Sequence, residues 1–294
     1  MPDSIPALRI ALGSYQHTEA LQSGRVRTDK FRPEYLAFPA ISRAFAPMVR
    51  AQEFDVCELA LATFLQARAH DKPVVLLPVV MAARFQETAL ICRADSAIAS
   101  PADLGGKRIG VRAYSQTTGV WLRGILAESF ALPPAAMRWF TQEGAHVAEA
   151  RDPDFVTRLG PGSDLLTMLR EDALDAVIVG NDFALDPAFR TVFPDIPSAV
   201  ASFWARHRLI PVNHVVTVRR EIAEQRPEIC AELMRMFRES PWTLTANGHE
   251  CPALGRTAVQ PSIDLMLGHM QAQNLLPARS DGAKIWAGTP PDIR

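Results

Sequence analysis

The residues best placed to do chemistry lie in one short stretch. An apolar strand at 109–111 runs into Tyr114-Ser115-Gln116-Thr117-Thr118, and an apolar helix follows at once. Hydroxyls and free backbone N–H groups at a helix N-terminus suit a small anion, a carboxylate or a phosphate. The same residue types also cap helices with no ligand present. Glu58 ends the run FDVCE, where a buried carboxylate needs a partner. It would take a substrate hydroxyl proton, orient a catalytic group, or form a structural ion pair with an arginine. Arg84 and Phe85 offer a planar cation for a carboxylate and a ring for stacking, or else a hinge ion pair and a core phenylalanine. His214, beside Asn213 in PVNHVV, carries an imidazole that exchanges protons near neutrality, or else it is a structural histidine on a strand. Further polar groups stand at His146, Glu149, Arg151 and Asp152 in the loop GAHVAEARDPD, and at Asn181 and Asp182 after the apolar run DAVIVG. A loop of this kind is either solvated or functional. His146 and Glu149 reach a metal only with a third ligand from elsewhere, so no metal site is expected.

Other chemistries lack their signatures. The chain has no G-x-S-x-G, no phosphate-binding P-loop, no H-E-x-x-H and no dinucleotide G-x-G-x-x-G. Its 294 residues carry a net charge of −1, with acids and bases interspersed, so no basic face for nucleic acid is evident. Hydrophobic residues make up 48% and charged residues 21%, a globular balance with no transmembrane run. The four cysteines form no C-x-x-C pair and read as reduced thiols. The first residues, MPDSIPALRIALGSY, show no basic region, long apolar run or cleavage site. A cytoplasmic location is therefore expected, or a periplasmic one if the true start lies upstream.

These groups need elements to position them. Strands are expected at 8–12, 35–38, 54–57, 73–81, 88–93, 108–112, 137–142, 175–180 and 212–220. Helices are expected at 41–51, 59–70, 117–129, 164–170, 221–240 and 262–273. The unbroken apolar run at 73–81 fits a strand covered on both faces. Alternation of strand and helix implies an α/β fold, and extended segments near 84–93 and 209–216 imply two crossings between two lobes. The first lobe is expected from 1–88 plus 216–294 and the second from 89–215, with an interlobe cleft that closes on a hinge.

Several passages carry a resemblance. DSAIASPADLGGKRIGVRAYSQTTG (95–119) resembles the passage into the second lobe of the type II periplasmic-binding-protein fold. FDVCELALATFL (54–65), GVRAYSQTTGVWLRGIL (110–126) and IPVNHVVTVRRE (210–221) are similar to 4,5-dihydroxyphthalate decarboxylases and their relatives. The resemblance runs from about residue 8 to 279. It implies loss of CO₂ from a hydroxylated aromatic carboxylate in the cleft, with no organic cofactor expected. The turn 114–118 and Arg84 would hold the carboxylate and ring, and His214 or Glu58 would move the proton. One departure bears on the substrate. Where the decarboxylases tend to show F-R-H, this chain has Phe85-Gln86-Glu87, so the substrate should carry fewer or differently placed anionic groups. The alternative is a solute-binding protein of a transporter, or a sensor for an organic anion. A third is a related enzyme that makes a cofactor precursor. The expected partner is a small organic anion; a homo-oligomer stays open.

Overall fold

The computed structural model describes residues 5–180, 183–240, 242–277 and 282–293. Strands β1 (Ala7–Ala11), β2 (Arg32–Tyr35), β3 (Val56–Ala60) and β4 (Val74–Ala83) form the first sheet with β11 (Val212–Arg219). Its order is β2-β1-β3-β11-β4. The first three run parallel, and β11 inserts antiparallel between β3 and β4. The second sheet holds β5 (Leu90–Arg93), β6 (Arg108–Ala113), β7 (Arg138–Glu143), β8 (Val156–Arg158), β9 (Ala176–Ile178) and β10 (Phe189–Thr191). Its order is β10-β5-β9-β6-β7-β8. A hairpin of β12 (Leu244–Ala246) and β13 (His249–Cys251) stands apart.

Helices cover these sheets: α1 (Glu19–Gln22), α2 (Phe45–Ala51), α3 (Leu61–Ala69), α4 (Thr117–Phe130), α5 (Leu165–Arg170), α6 (Ile196–His207), α7 (Arg220–Gln225), α8 (Pro227–Glu239) and α9 (Arg256–Ala272). Among the described residues no helix is long and apolar enough to cross a membrane.

The chain passes between the sheets at 84–89 and again at 208–211. The two crossings are tied by a hydrogen bond from the Arg84 N–H to the Pro211 carbonyl, 3.0 Å. The run at 73–81 does become a strand buried on both faces. Pro78 is tolerated there because β4 lies at the sheet edge, where a missing N–H breaks no ladder bond.

Helix α4 is buried through most of its length, and Trp121 donates to the Val212 carbonyl, 2.9 Å. Arg123, fully buried, spans from α4 to Gln273 just beyond α9, 2.8 Å. One apolar cluster thus includes α4, α9 and the helical face of the first sheet.

Several elements differ from the sequence expectation: the helix expected at 221–240 is broken at Arg226 into α7 and α8, α9 starts at Arg256 rather than 262, and α6, β8, β10 and the β12–β13 hairpin are additional. Two strand bounds also move. The strand expected at 54–57 extends to Ala60, so Glu58 is inside it rather than after it. The strand expected at 35–38 ends at Tyr35. Apolar and polar residues mix at both places, and pairing with β1 decides the bounds.

Candidate functional site

The carboxyl ends of β1, β3, β4 and β6 face one cleft, together with the start of β11. Ligands of open α/β sheets sit at such ends. On β3 side chains alternate, so Cys57 and Leu59 join the core cluster beneath α2 and α3 while Glu58 points the other way. Its carboxylate is fully buried and accepts three hydrogen bonds. Gly13 N–H donates to Oε2 at 2.9 Å, and the Tyr15 hydroxyl to Oε1 at 2.7 Å. The His214 Nδ1 stands 2.6 Å from the same Oε1. Because the carboxylate can only accept, Nδ1 carries a proton, and Nε2 is the atom left to exchange one.

The turn after β1 is built for this contact. The Tyr15 ring folds back over Gly13, where any Cβ would lie 2.6 Å from ring carbons. Thr18 fixes the turn, accepting from the Tyr15 N–H and donating to the Gly13 carbonyl, both at 2.8 Å. Burial and the neighbouring Glu58 charge push the Tyr15 phenol far up, so it stays protonated. Tyr15 stacks on His17 with centroids 4.9 Å apart, and His17 on Trp242 at 3.8 Å. Burial holds His17 down at about 4, hence neutral.

A second cluster sits at the crossings. Arg84 Nη2 donates to Thr118 Oγ1 at 3.3 Å, and Asn213 Nδ2 donates to the same oxygen at 3.4 Å. Gln86 Nε2 donates to Asn213 Oδ1 at 2.9 Å, so the amide standing at the F-R-H departure is spent inside this network. Glu87 is buried, and burial pushes its carboxyl up.

The first turns of α3 and α4 meet here, since the Ala62 N–H donates to Thr117 Oγ1 at 3.1 Å. Neither N-cap residue, Ala60 or Gln116, supplies a side-chain cap. Two positive helix ends therefore converge beside an arginine, which favours an anion.

His146 closes another side. Its Nδ1 lies 2.8 Å from Thr63 Oγ1, and its carbonyl accepts from Arg50 Nε at 2.7 Å. Burial, then Arg112, Arg50 and His214, hold it down at about 4. Phe45 sets its ring edge-on between the two imidazoles, 5.2 Å from His214 and 5.7 Å from His146. A cavity of about 410 Å³ opens alongside, lined by Tyr15, His17, Met81, Arg84, Asn213 and Trp242 among others.

Contacts thus join Glu58 to His214, Arg84 and Asn213 to Thr118, and His146 to Thr63; of the expected residues, Arg84 and Asn213 line the cavity. Several expectations need correction. The Tyr114 ring does not face a ligand. It is fully buried under the Arg123 guanidinium, 3.8 Å from the ring centroid, and against Trp139 and Phe155. Past the end of β6 the side chain departs from strand alternation, and Tyr114 joins the cluster of Ile109 and Val111.

Phe85 is buried in T-shaped contacts with Phe203 and His249. The Thr117 hydroxyl accepts from the Ala62 N–H and keeps its own hydrogen to donate, Ser115 is buried, and Gln116 is half-buried at the N-cap. Glu149 pairs with Lys72 at 2.6 Å and Asp152 with Arg158 at 2.9 Å, so those loop carboxylates are structural. Arg151 donates to the Ala148 and Ala150 carbonyls. Asn181 and Asp182 lie outside the described residues. Among the described residues no group of three or more His, Cys, Asp or Glu is arranged to hold a metal ion.

Gly13, Tyr15, His17 and Trp242 were not anticipated. The only sequence signal was a Gly-Ser-Tyr turn closing the first strand.

This architecture is that of the two-lobed substrate-binding proteins. The periplasmic aliphatic sulphonate binding protein of Escherichia coli is similar with a TM-score of 0.55 at 17% identity, over 98% of this chain and 85% of its own. The periplasmic sulfonate-binding protein of a sulfonate ABC transporter from Methylobacillus flagellatus KT gives 0.58 at 11% identity, over 96% and 91%.

Sequence comparison narrows the class. The family model described as NMT1/THI5 like matches residues 36–131. The 4,5-dihydroxyphthalate decarboxylase of Comamonas testosteroni is 29% identical over 247 residues, 79% of this chain and 74% of that one. The enzyme of the same name from Pseudomonas putida is 32% identical over 181 residues, 58% of this chain and 69% of that one. The chain belongs to the 4,5-dihydroxyphthalate decarboxylase family, built on the type II periplasmic-binding-protein fold.

Proposed function

We propose that this protein removes CO₂ from a small hydroxylated aromatic or heteroaromatic carboxylate, using its own side chains and no organic cofactor. The observation that carries this reading is the 2.6 Å contact between His214 Nδ1 and a fully buried Glu58. Such a pair does little for a protein that only holds a solute, and it is what proton transfer to a carbon needs.

In the scheme, the substrate carboxylate lies against Arg84 and the N-terminal turn of α4. A ring hydroxyl, partly deprotonated, raises electron density at the carbon bearing the carboxylate. The His214 imidazolium gives a proton from Nε2 to that carbon, and the ring loses its aromatic sextet. The bond to the carboxylate carbon then breaks, CO₂ leaves, and the electron pair stays with the ring and restores the sextet. His214 regains its proton from water. Glu58 holds the imidazole in place and balances its positive charge. Lobe closure excludes water during the charge-separated stage.

The test is to incubate the protein with 4,5-dihydroxyphthalate and a panel of hydroxylated benzoates and follow CO₂. Release that disappears in His214→Gln supports the scheme. Tight binding of one panel member without CO₂ favours the second reading, a binding protein for an organic anion, which the fold relatives support.

A further inference from the structure

Glu58 is fully buried, and its link to the open cavity is Tyr15. The Tyr15 ring lines the cavity of about 410 Å³ while its hydroxyl donates to Glu58 Oε1 at 2.7 Å. With its hydrogen committed to Glu58, the phenol oxygen can still accept one hydrogen bond. The turn enforces this pose, because the ring is seated on Gly13, where a Cβ would clash at 2.6 Å. His17 and Trp242 continue the wall in a parallel stack. At another part of the lining stand Arg84 and Asn213. The cavity therefore combines an aromatic wall of Tyr15, His17 and Trp242, polar side chains of Gln16, Thr243 and Thr245, and an arginine.

We propose that this cavity is the aryl subsite and that Tyr15 reads the ring hydroxyl of the substrate, passing its proton toward Glu58. The substrate class is then a monocyclic arene bearing one carboxylate at Arg84 and a hydroxyl on the side of Tyr15. In the transfer, the substrate O–H bond breaks and a new O–H forms at Tyr15. The original Tyr15 proton moves to Glu58 Oε1, and the negative charge moves from Glu58 to the ring oxygen, which takes over from Glu58 in balancing the His214 imidazolium. After CO₂ has left, the proton returns along the same path. This rests on the decarboxylase reading for its chemistry, but recognition of the hydroxyl is measurable without turnover. An aromatic wall suits a flat ring, and a buried acceptor rejects a ring that leaves it unpaired.

The experiment is calorimetric titration of the full chain with benzoate, 3-hydroxybenzoate, 4-hydroxybenzoate and 3,4-dihydroxybenzoate, alongside CO₂ release. The wild type should bind at least one hydroxylated ring roughly tenfold more tightly than benzoate, the worth of one buried hydrogen bond. Tyr15→Phe should erase that preference and leave benzoate affinity unchanged, whereas Trp242→Ala should weaken every ring alike. Equal binding of all four acids by the wild type overturns the proposal, whatever the variants do. So does a preference that survives in Tyr15→Phe. A hydroxyl preference lost in Tyr15→Phe, with no CO₂ from any acid, keeps the subsite and removes the decarboxylase reading. CO₂ release with no hydroxyl preference does the reverse.

Discussion

His214 and Glu58, 156 residues apart in sequence, meet with imidazole Nδ1 2.6 Å from carboxylate Oε1. They come from adjacent antiparallel strands, β11 and β3. The two differ in access: the His214 side chain is 19% exposed and that of Glu58 is 0% exposed. The imidazole is therefore the more accessible member of the pair. The irregular register of β11 against β4 between Val212 and Val216 belongs to the same region. Bulges of this kind re-aim a side chain at the end of a sheet.

Glu58→Gln tests the pair. An amide presents two hydrogens where the carboxylate presents only acceptors, so at least one of Gly13, Tyr15 and His214 loses its partner. Turnover should fall ~10²–10⁴-fold, the usual worth of general acid–base assistance. Stability should fall by about 1–3 kcal/mol for a buried donor left unpaired. Steady-state rates and chemical denaturation measure the two separately. Full activity in a folded Glu58→Gln protein would remove the pair from the mechanism.

Gly13→Ala asks whether the turn after β1 is part of the site. The added methyl overlaps the Tyr15 ring at 2.6 Å, and the ring must swing away from Glu58. Overpacking of this kind costs about 1–3 kcal/mol. Turnover should drop with it, while Gly160→Ala, where a Cβ meets nothing within 4 Å, should leave the melting temperature near wild type. A normal melting temperature for Gly13→Ala would show that Tyr15 has another resting place.

Much of this was legible in the sequence. The α/β alternation, the buried run at 73–81 and the return strand at 212–220 follow from periodicity, and Glu58, Arg84 and His214 stood out as polar residues at the ends of apolar runs. The site's second layer did not. Tyr15 reaches Glu58 only because Gly13 lets its ring fold back, a three-dimensional fact with no periodic signature. Trp242 approaches His17 across more than two hundred residues of chain. Tyr114 misled for the opposite reason. A tyrosine in a polar turn resembles a ligand contact, yet its ring turns into the cluster of Ile109 and Val111 beneath Arg123. Hydroxyl-rich turns advertise hydrogen bonding without saying whether the partner is a ligand or, as for Thr117, the backbone of Ala62.

Arg84→Met addresses anion binding. The substitution keeps much of the side chain's length and removes its charge and the bond to Thr118. A hydrogen bond to a charged group contributes about 1.5–3 kcal/mol. Affinity for a carboxylate ligand should thus fall ~10- to 100-fold, seen in KM more than in kcat because the contact is made before the chemical step. A variant with unchanged KM would move the carboxylate elsewhere in the cleft, with the first turn of α4 as the next place to look.

Part of the pH dependence of stability follows from His146 and His17, which burial holds down as it does His269. Burial holds His146 and His17 at about 4, below the ordinary 6.5. Between those values the unfolded chain binds more protons than the folded one, so stability rises with pH through that window and is fully present above it. Carboxylates lowered by arginine act further down. Glu232, bonded by Arg235 and held at about 2, loses its contribution only as pH falls below its ordinary 4.5. The melting temperature of the wild type should therefore fall between pH 6.5 and 4.5, before the Glu232 pair is affected. His146→Gln, which keeps a polar partner for Thr63, should flatten that part of the curve. A wild-type melting temperature that is level from pH 6.5 to 4.5 would mean that both histidines accept protons in the folded state.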